Sequence, residues 1–320
     1  RGNVSDAAVE AALLSRAAGH PVLLQWTREE EFRLSPQRPR LDASICAGLD
    51  ASGSVCGWIY QAQTNPHTYG SGVDDRTLLA LTAGRNAIPP YCLAGADIRL
   101  EVVPTTIRTG ALRSLAAAQH VFAIESFMDE LSEVLGQDPI GFRQRHLDDA
   151  RATRVLEAVR ERSGWSTRRR QRGRGWGVAL AIYNGTYIAQ VAQVLLRPPA
   201  IRLERVCCCV DAVRIFWPEG GRNQIEGAIQ QAASWALLER LGERDGCITS
   251  ATWHDYPIAT CLDAPREVEV LLIDNAGAPA TGLGEPGAVP IAAAIANAIV
   301  DAGGPRLREL PLSLARPDRR

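Results

Sequence analysis

The sequence predicts a mixed α/β fold, and three observations carry that reading. Short apolar alternations recur next to longer stretches with helical spacing. Both kinds stop at glycine, asparagine or proline turns. Of the 320 residues, 46% are hydrophobic and 22% charged, enough to bury one large core or two ordinary ones. Two α/β lobes are expected, 1–162 and 176–320, joined by an arginine-rich linker at 163–175.

Taken in order, Ser5 or Asp6 can cap a helix that runs to about Ala18, where Gly19 stops it, and PVLLQW (21–26) reads as a strand. LDASICAGLD and SVCGWIYQAQT alternate on either side of an Ala51-Ser52-Gly53 turn and read as a hairpin; ADIRLEVVPTTI is a further extended segment. Across 116–135, Val121, Ile124, Phe127, Met128, Leu131 and Leu135 share one helical face. Asp138-Pro139 opens a short helix through FRQRHL, and a third helix at 151–162 ends at Gly164. GWGVALAIY, YIAQVAQVLL and IRLERVCCCVDAV then read as successive strands, followed by a helix over 222–241, the strand EVEVLLID and a last helix at 289–302.

Composition removes several functions. A net charge of -1 and a pI near 6.6 give no broad basic field for nucleic acid, and RRRQRGRGWG is only a local, solvated cluster. All 35 basic residues are arginines, which excludes a Schiff-base lysine and a lysine-dependent phosphate loop. Of the eight cysteines, Cys207, Cys208 and Cys209 are adjacent in an apolar strand, where they serve as small hydrophobes; the others lack the spacing of a zinc or iron–sulfur site. That usage suits a reduced compartment, and no apolar run reaches membrane-span length.

Three stretches could carry chemistry. In TGLGEPGAVPIAAAIANAI, Glu285 lies among Gly282, Gly284 and Gly287, with Pro286 stiffening the exit into a helix. One reading is a carboxylate that merely complements a helix terminus, worth roughly 0.3–1 kcal/mol; the other is a general base held in a cleft. In GGRNQIEGAIQQAASWALLERL, Gln224, Glu226 and Gly227 are expected to open a helix whose free N–H groups face a ligand, with Gln231 on the same face as Gln224. A hydrated helix edge is the alternative. In RTGALRSLAAAQHVFAIESFMDEL, Arg113 and Gln119 fall in a small-residue loop; Arg113 either holds an anionic or carbonyl group or pairs with Glu125 or Asp129.

In this order the stretches resemble the molybdopterin-binding large subunit of the xanthine dehydrogenase and aldehyde oxidase family, nearest its isoquinoline oxidoreductase and nicotinate dehydrogenase group. The likeness rests on SDAAVEAALLSRAAGHPVLLQWTREEEF, VFAIESFMDEL with DPIGFRQRHL, RNQIEGAIQQAASWAL, LGEPGAVPIAAAIANAI and LRELPL, and covers nearly the whole chain. It implies that Glu285 is the catalytic glutamate beside molybdenum, removing a proton from a Mo–OH group while an N-heterocycle or aldehyde is oxidised with oxygen from water. It further implies that Gln224, Glu226, Gly227, Gln231, Arg113 and Gly284 lie along the cofactor. The cofactor would be molybdenum–molybdopterin in the cytosine dinucleotide form, with electrons leaving through iron–sulfur clusters on a small partner subunit.

The sequence departs from the pattern after Arg113. Relatives place a Pro-Gly pair or an aromatic followed by glycine there, whereas Ser114, Leu115 and Ala116 stand here, so Leu115 would line the substrate pocket without stacking as a ring could. Asn3 falls near a substrate-orienting glutamate of some relatives. The family's glycine-rich cofactor loop has no counterpart in these residues, so the resemblance makes this a C-terminal portion, with exposed apolar surface where an N-terminal half would pack. A cytoplasmic location, with the periplasm as alternative, and a non-catalytic scaffold of the same fold complete the expectations.

Overall fold

A computed structural model of the chain describes residues 5–65, 82–169, 171–275 and 277–315. Helix α1 (Asp6–Ala18) ends where Gly19 turns left-handed at φ 75° and returns its N–H to Ser15. The stretch 21–26 forms no strand, correcting the sequence reading: Leu23 is 94% exposed and no ladder forms. An apolar run becomes a strand only where a neighbour takes up its backbone hydrogen bonds, and none lies alongside among the described residues. Helix α2 (Arg28–Leu34) follows, opened by a capping box between Thr27 and Glu30.

Strands β1 (Leu41–Leu49) and β2 (Val55–Thr64) form the expected antiparallel hairpin, and β3 (Ala96–Val102) joins β2 in parallel. Helices α3 (Ala117–Val134), α4 (Pro139–Arg145) and α5 (Ala150–Ser163) come next. Asp149 caps α5 through the amides of Arg151 and Ala152, and Gly164 closes it at φ 74°. The linker that follows is mostly exposed, with Arg168 stacked 3.7 Å from the Trp165 ring.

The second sheet contains β4 (Arg174–Tyr183), β5 (Thr186–Arg197) and β6 (Ala200–Asp211), antiparallel in succession. Helix α6 (Pro218–Leu237) and the small hairpin β7 (Glu243–Arg244) with β8 (Cys247–Ile248) precede β9 (Glu267–Ile273), which returns parallel to β6. Helix α7 (Ile291–Asp301) ends the regular structure. Both faces of this sheet are buried, which is why its strands read as nearly continuous apolar runs. Cys208 joins the side chains packed with α6 and α7, whereas Cys207 and Cys209 join the opposite layer with α5. That second layer also holds Trp58 and Tyr60 from β2, so side chains from before residue 163 and after residue 175 share one apolar layer.

Two details fix where the site lies. A Cβ on Gly175 or Gly177 of β4 would fall 2.0 Å from Ala298 O or 2.2 Å from Ala294 O, so the backbone of α7 sits directly on the strand. Beneath α3, Glu125 and Arg143 form an ion pair with side chains 1% and 0% exposed. Glu125 also accepts from Tyr91 Oη and Leu180 N, and Arg143 donates to the carbonyls of Glu125 and Pro139. Every strong group of this pair is satisfied, as burial demands.

Candidate active site

The loop 281–287 that carries Glu285 is tied down along its length. Thr281 N donates to Ala212 O, Thr186 Oγ1 donates to Gly282 O, and the buried Gln190 donates to Gly287 O. Gly287 has a packing reason: a Cβ there would meet Ile225 O at 2.8 Å and Ala228 Cβ at 2.9 Å, on helix α6. Gly282 and Gly284 differ, since a Cβ on either would meet nothing within 4 Å. Their bareness leaves open space in front of the backbone.

Glu285 is half-buried. Its carboxylate accepts from Ser114 N at 3.0 Å on Oε1 and from Tyr183 Oη at 2.8 Å on Oε2. It does not cap the short turn Pro286–Ala288 that it precedes, and α7 begins only at Ile291. The helix-terminus account of this residue therefore fails on geometry. Among the described residues no ion pair joins Glu285 to an arginine. Burial first, then the bond to Glu285, push the Tyr183 pKa above its ordinary value, so at neutral pH the phenol keeps the proton it donates.

Arg113 braces the Glu285 loop against helix α6. Its Nε donates to Gly284 O at 2.6 Å, Nη1 to Gln231 Oε1 at 3.2 Å, and Nη2 to Gln224 O and Oε1 at 2.9 and 3.0 Å. Pairing with Glu125 or Asp129 does not occur, because Arg143 takes the first and Arg306 the second. Burial lowers the Arg113 pKa while Glu285 pulls it upward. Gln224 and Gln231 do share a face, as their spacing implied. The helix-start reading needs correction, however. Helix α6 begins at Pro218, ahead of the expected 222, so the amides at 224–227 lie inside the helix and not at its free end. Proline at the first position needs no N–H partner, and Pro218 starts the helix ahead of Gly220 and Gly221. Glu226 is half-buried and Gly227 exposed on this helix, and neither contributes to the hydrogen bonds at Arg113 or Glu285.

Ser114 and Leu115 both take positive φ, 71° and 50°. Such backbone costs of order 1–3 kcal/mol per non-glycine residue. Arg38 offsets it: Nη2 donates to Arg113 O at 2.9 Å and Nη1 to Leu115 O at 2.7 Å, while the guanidinium stacks 4.2 Å from the Trp235 ring centroid. Hydrogen bonds to a charged group are worth about 1.5–3 kcal/mol each, so the two balance the strain. Burial pushes the Arg38 pKa down to about 10, against the pull of Tyr256, Glu239 and Glu285, so it stays charged at neutral pH. Gln119 lies on α3, not in the loop, and donates to Pro39 O. Leu115 is half-buried in the strained loop, and Asn3 falls outside the described residues.

Sequence reasoning missed Tyr183, Ser114 and Arg38. Tyr183 reads as one more apolar position at a strand end, and Arg38 sits in the featureless SPQRPR. Their partners lie 102 and 75–77 residues away, so no local pattern could disclose them.

A half-buried carboxylate held by an amide and a phenol, in a loop that an arginine ties to a helix bearing two exposed glutamines, suits a cofactor-cradling α/β domain. Two family models, each described as a molybdopterin cofactor-binding domain, match residues 3–147 and 183–265, and the chain belongs to this family within the xanthine dehydrogenase type. Arg113 falls in the first match and Gln224 and Gln231 in the second, while Glu285 lies beyond both. The chain is 33% identical to a nicotinate dehydrogenase subunit of Pseudomonas putida over 99% of its own length and 29% of that protein's. With the beta subunit of isoquinoline 1-oxidoreductase from Brevundimonas diminuta the identity is 29%, over 96% and 40%. It thus spans less than half the length of these relatives.

Quinoline 2-oxidoreductase from Pseudomonas putida 86 shares the fold with a TM-score of 0.80 at 15% identity, over 92% of this chain and 63% of that one. Aldehyde oxidoreductase from Desulfovibrio gigas gives 0.79 at 15%, over 96% and 52%. Among the described residues no helix is long and apolar enough to cross a membrane, and no group of His, Cys, Asp or Glu could hold a metal ion.

The residues present fit a pterin, a flat group rich in donors and acceptors. Gln224 and Gln231 are exposed, and Cβ atoms on Gly227, Gly282 and Gly284 would meet only open space. A mainly apolar cleft of about 540 Å³ beside Gln224 and Gly284 is lined by Ile215, Leu283, Asn223 and Thr281 together with the exposed Phe216 and Trp217. Amide and main-chain groups at an open face can match such a ring system without a protein ligand to the metal.

Proposed function

We propose that this chain supplies the catalytic base and part of the cofactor cradle of a molybdenum hydroxylase, which oxidises an aromatic N-heterocycle or an aldehyde with water as the oxygen source. The single observation that carries the reading is the setting of Glu285: held by Ser114 N and Tyr183 Oη, in no ion pair with a described arginine, and next to Gly284, whose carbonyl Arg113 ties to Gln224 and Gln231. The names of the relatives, which include nicotinate and isoquinoline enzymes, support the substrate class.

When bound, the molybdenum–molybdopterin group supplies two-electron oxidation of the substrate carbon. This chain's residues do the rest of the work assigned here. Glu285 accepts a proton from the oxygen nucleophile; Ser114 N–H and Tyr183 O–H stabilise the carboxylate and aim it. Arg113 keeps the Gly284 backbone and the two glutamines at a fixed separation, and Glu226 and Gly227 belong to the same cofactor-side helix. Leu115 contributes an apolar wall that contacts substrate without ring stacking. The pterin is in its cytosine dinucleotide form. Electrons taken from the substrate would leave to iron–sulfur clusters on a partner subunit, and polypeptide equivalent to the rest of the relatives' length would complete the enclosure.

Glu285→Gln in the complete complex tests this. A general base contributes about 10²–10⁴-fold, so turnover should fall at least ~100-fold with molybdenum content unchanged. Undiminished turnover removes Glu285 from the chemistry. A purified wild-type complex without stoichiometric molybdenum leaves only the non-catalytic scaffold.

A further inference from the structure

We propose that Arg38 is a positioning residue for Glu285, acting through one peptide unit that it grips from behind. The inference rests on the reading of Glu285 as the base. Ser114 N, which donates to Glu285 Oε1 at 3.0 Å, belongs to the same planar peptide as Arg113 O, which accepts from Arg38 Nη2 at 2.9 Å. The C=O and N–H of a trans peptide point in opposite directions and turn together. Rotating this plane would therefore break both bonds at once.

Arg38 also holds Leu115 O, two carbonyls further on, at 2.7 Å. The two oxygens bracket Ser114, whose positive φ an unsupported serine would rarely adopt. A guanidinium suits this task because its fork of N–H groups is planar and fixed, whereas an ammonium is a point donor. The Trp235 ring, 4.2 Å away, backs the guanidinium from helix α6. A cation at the carbonyl end polarises the peptide and strengthens its N–H as a donor to the carboxylate. Arg38 thus makes no hydrogen bond to Glu285 yet sets the direction of one of the two bonds that aim it.

The test uses Arg38→Ala and Arg38→Lys in the complete complex, read by amide hydrogen exchange at Ser114 and by steady-state kinetics. Arg38→Ala should exchange Ser114 at least ~10-fold faster, and its kcat should fall roughly 10–100-fold with KM moving less than about threefold, the pattern of a misaimed group. Added guanidinium ion should restore part of both. Arg38→Lys, which keeps the charge and stem but not the fork, should fall between wild type and alanine, and it gives the same readouts if the alanine variant does not fold. Unchanged Ser114 exchange, or faster exchange with unchanged kcat, overturns the proposal. Ser114 exchange does not depend on turnover, so a failure of Glu285→Gln to slow the enzyme would sink the base assignment separately.

Discussion

Glu125 and Glu285 each take a tyrosine hydroxyl and a main-chain amide as donors, and they are built for opposite ends. Glu125 is buried against Arg143, with a tyrosine, a main-chain amide and the guanidinium all directed at it. Glu285 also has a tyrosine and an amide, but its nearby arginine faces elsewhere: Arg113 donates to carbonyl and amide oxygens and makes no ion pair with the carboxylate. The first arrangement neutralises a charge so that three helices and a strand can close over it. The second orients a charge and keeps it available. The residue types are the same, and the difference lies in where the guanidinium donates.

The largest expected effect breaks the buried member of the comparison. Glu125→Gln leaves Arg143 without its closest counterion and should destabilise the fold by about 3–5 kcal/mol, read from urea denaturation. Next, Glu285→Gln should cost turnover and not stability, with an unfolding free energy within about 0.5 kcal/mol of wild type, as for a change away from core packing. If the two variants swap these signatures, the contrast is wrong.

A third expectation concerns a buried group between these regions. His120 donates from Nε2 to Ala83 O, which leaves Nδ1 to accept from Tyr60 Oη, so the fold holds a neutral ring. Burial pushes its pKa down to about 4. The unfolded chain therefore binds the extra proton between about pH 4 and pH 6.5. Stability is complete above that window and lost as pH falls through it, by roughly 2 kcal/mol between neutral pH and pH 5. Denaturation at the two pH values checks the slope, and His120→Gln should flatten it. The smallest effect sharpens the site itself. Tyr183→Phe removes one of the two bonds that aim Glu285 and should lower kcat about 5–20-fold, roughly 1–1.8 kcal/mol and so at the lower end for a hydrogen bond to a charged group because the Ser114 bond remains, at unchanged molybdenum content.

Legibility followed the range of the interactions. The β1–β2 hairpin, helix α3 and the end of α5 at Gly164 could be read because each depends on neighbours in sequence: an alternation across a turn, a 3.6-residue face, a left-handed cap. Residues 21–26 misled because strand formation needs a partner that the run does not name. The parallel pairing of β2 with β3 and of β6 with β9 left no local mark. Within the site, Glu285, Arg113, Gln224 and Gln231 stood out as polar groups in small-residue or apolar surroundings, and the structure brings them together. Ser114, Tyr183 and Arg38 did not, because what they do depends on a loop twisted into positive φ and on partners far along the chain.

The glycines of β4 have a mechanical consequence. With Gly175 and Gly177 seating α7 directly on the strand, and with Gln190 and Thr186 stitching the 281–287 loop to the neighbouring strand, the wall bearing Glu285 moves as one plate with the sheet. The Arg113–Ala116 turn is held as firmly, through Arg113 to Gly284 O, Ser114 N to Glu285 and the Arg38 grip on Arg113 O and Leu115 O, so a bulkier guest has to be met by a change of side chain. Reshaping the substrate range of this domain should therefore start from the half-buried Leu115 side chain, which can be exchanged while those main-chain bonds stay in place.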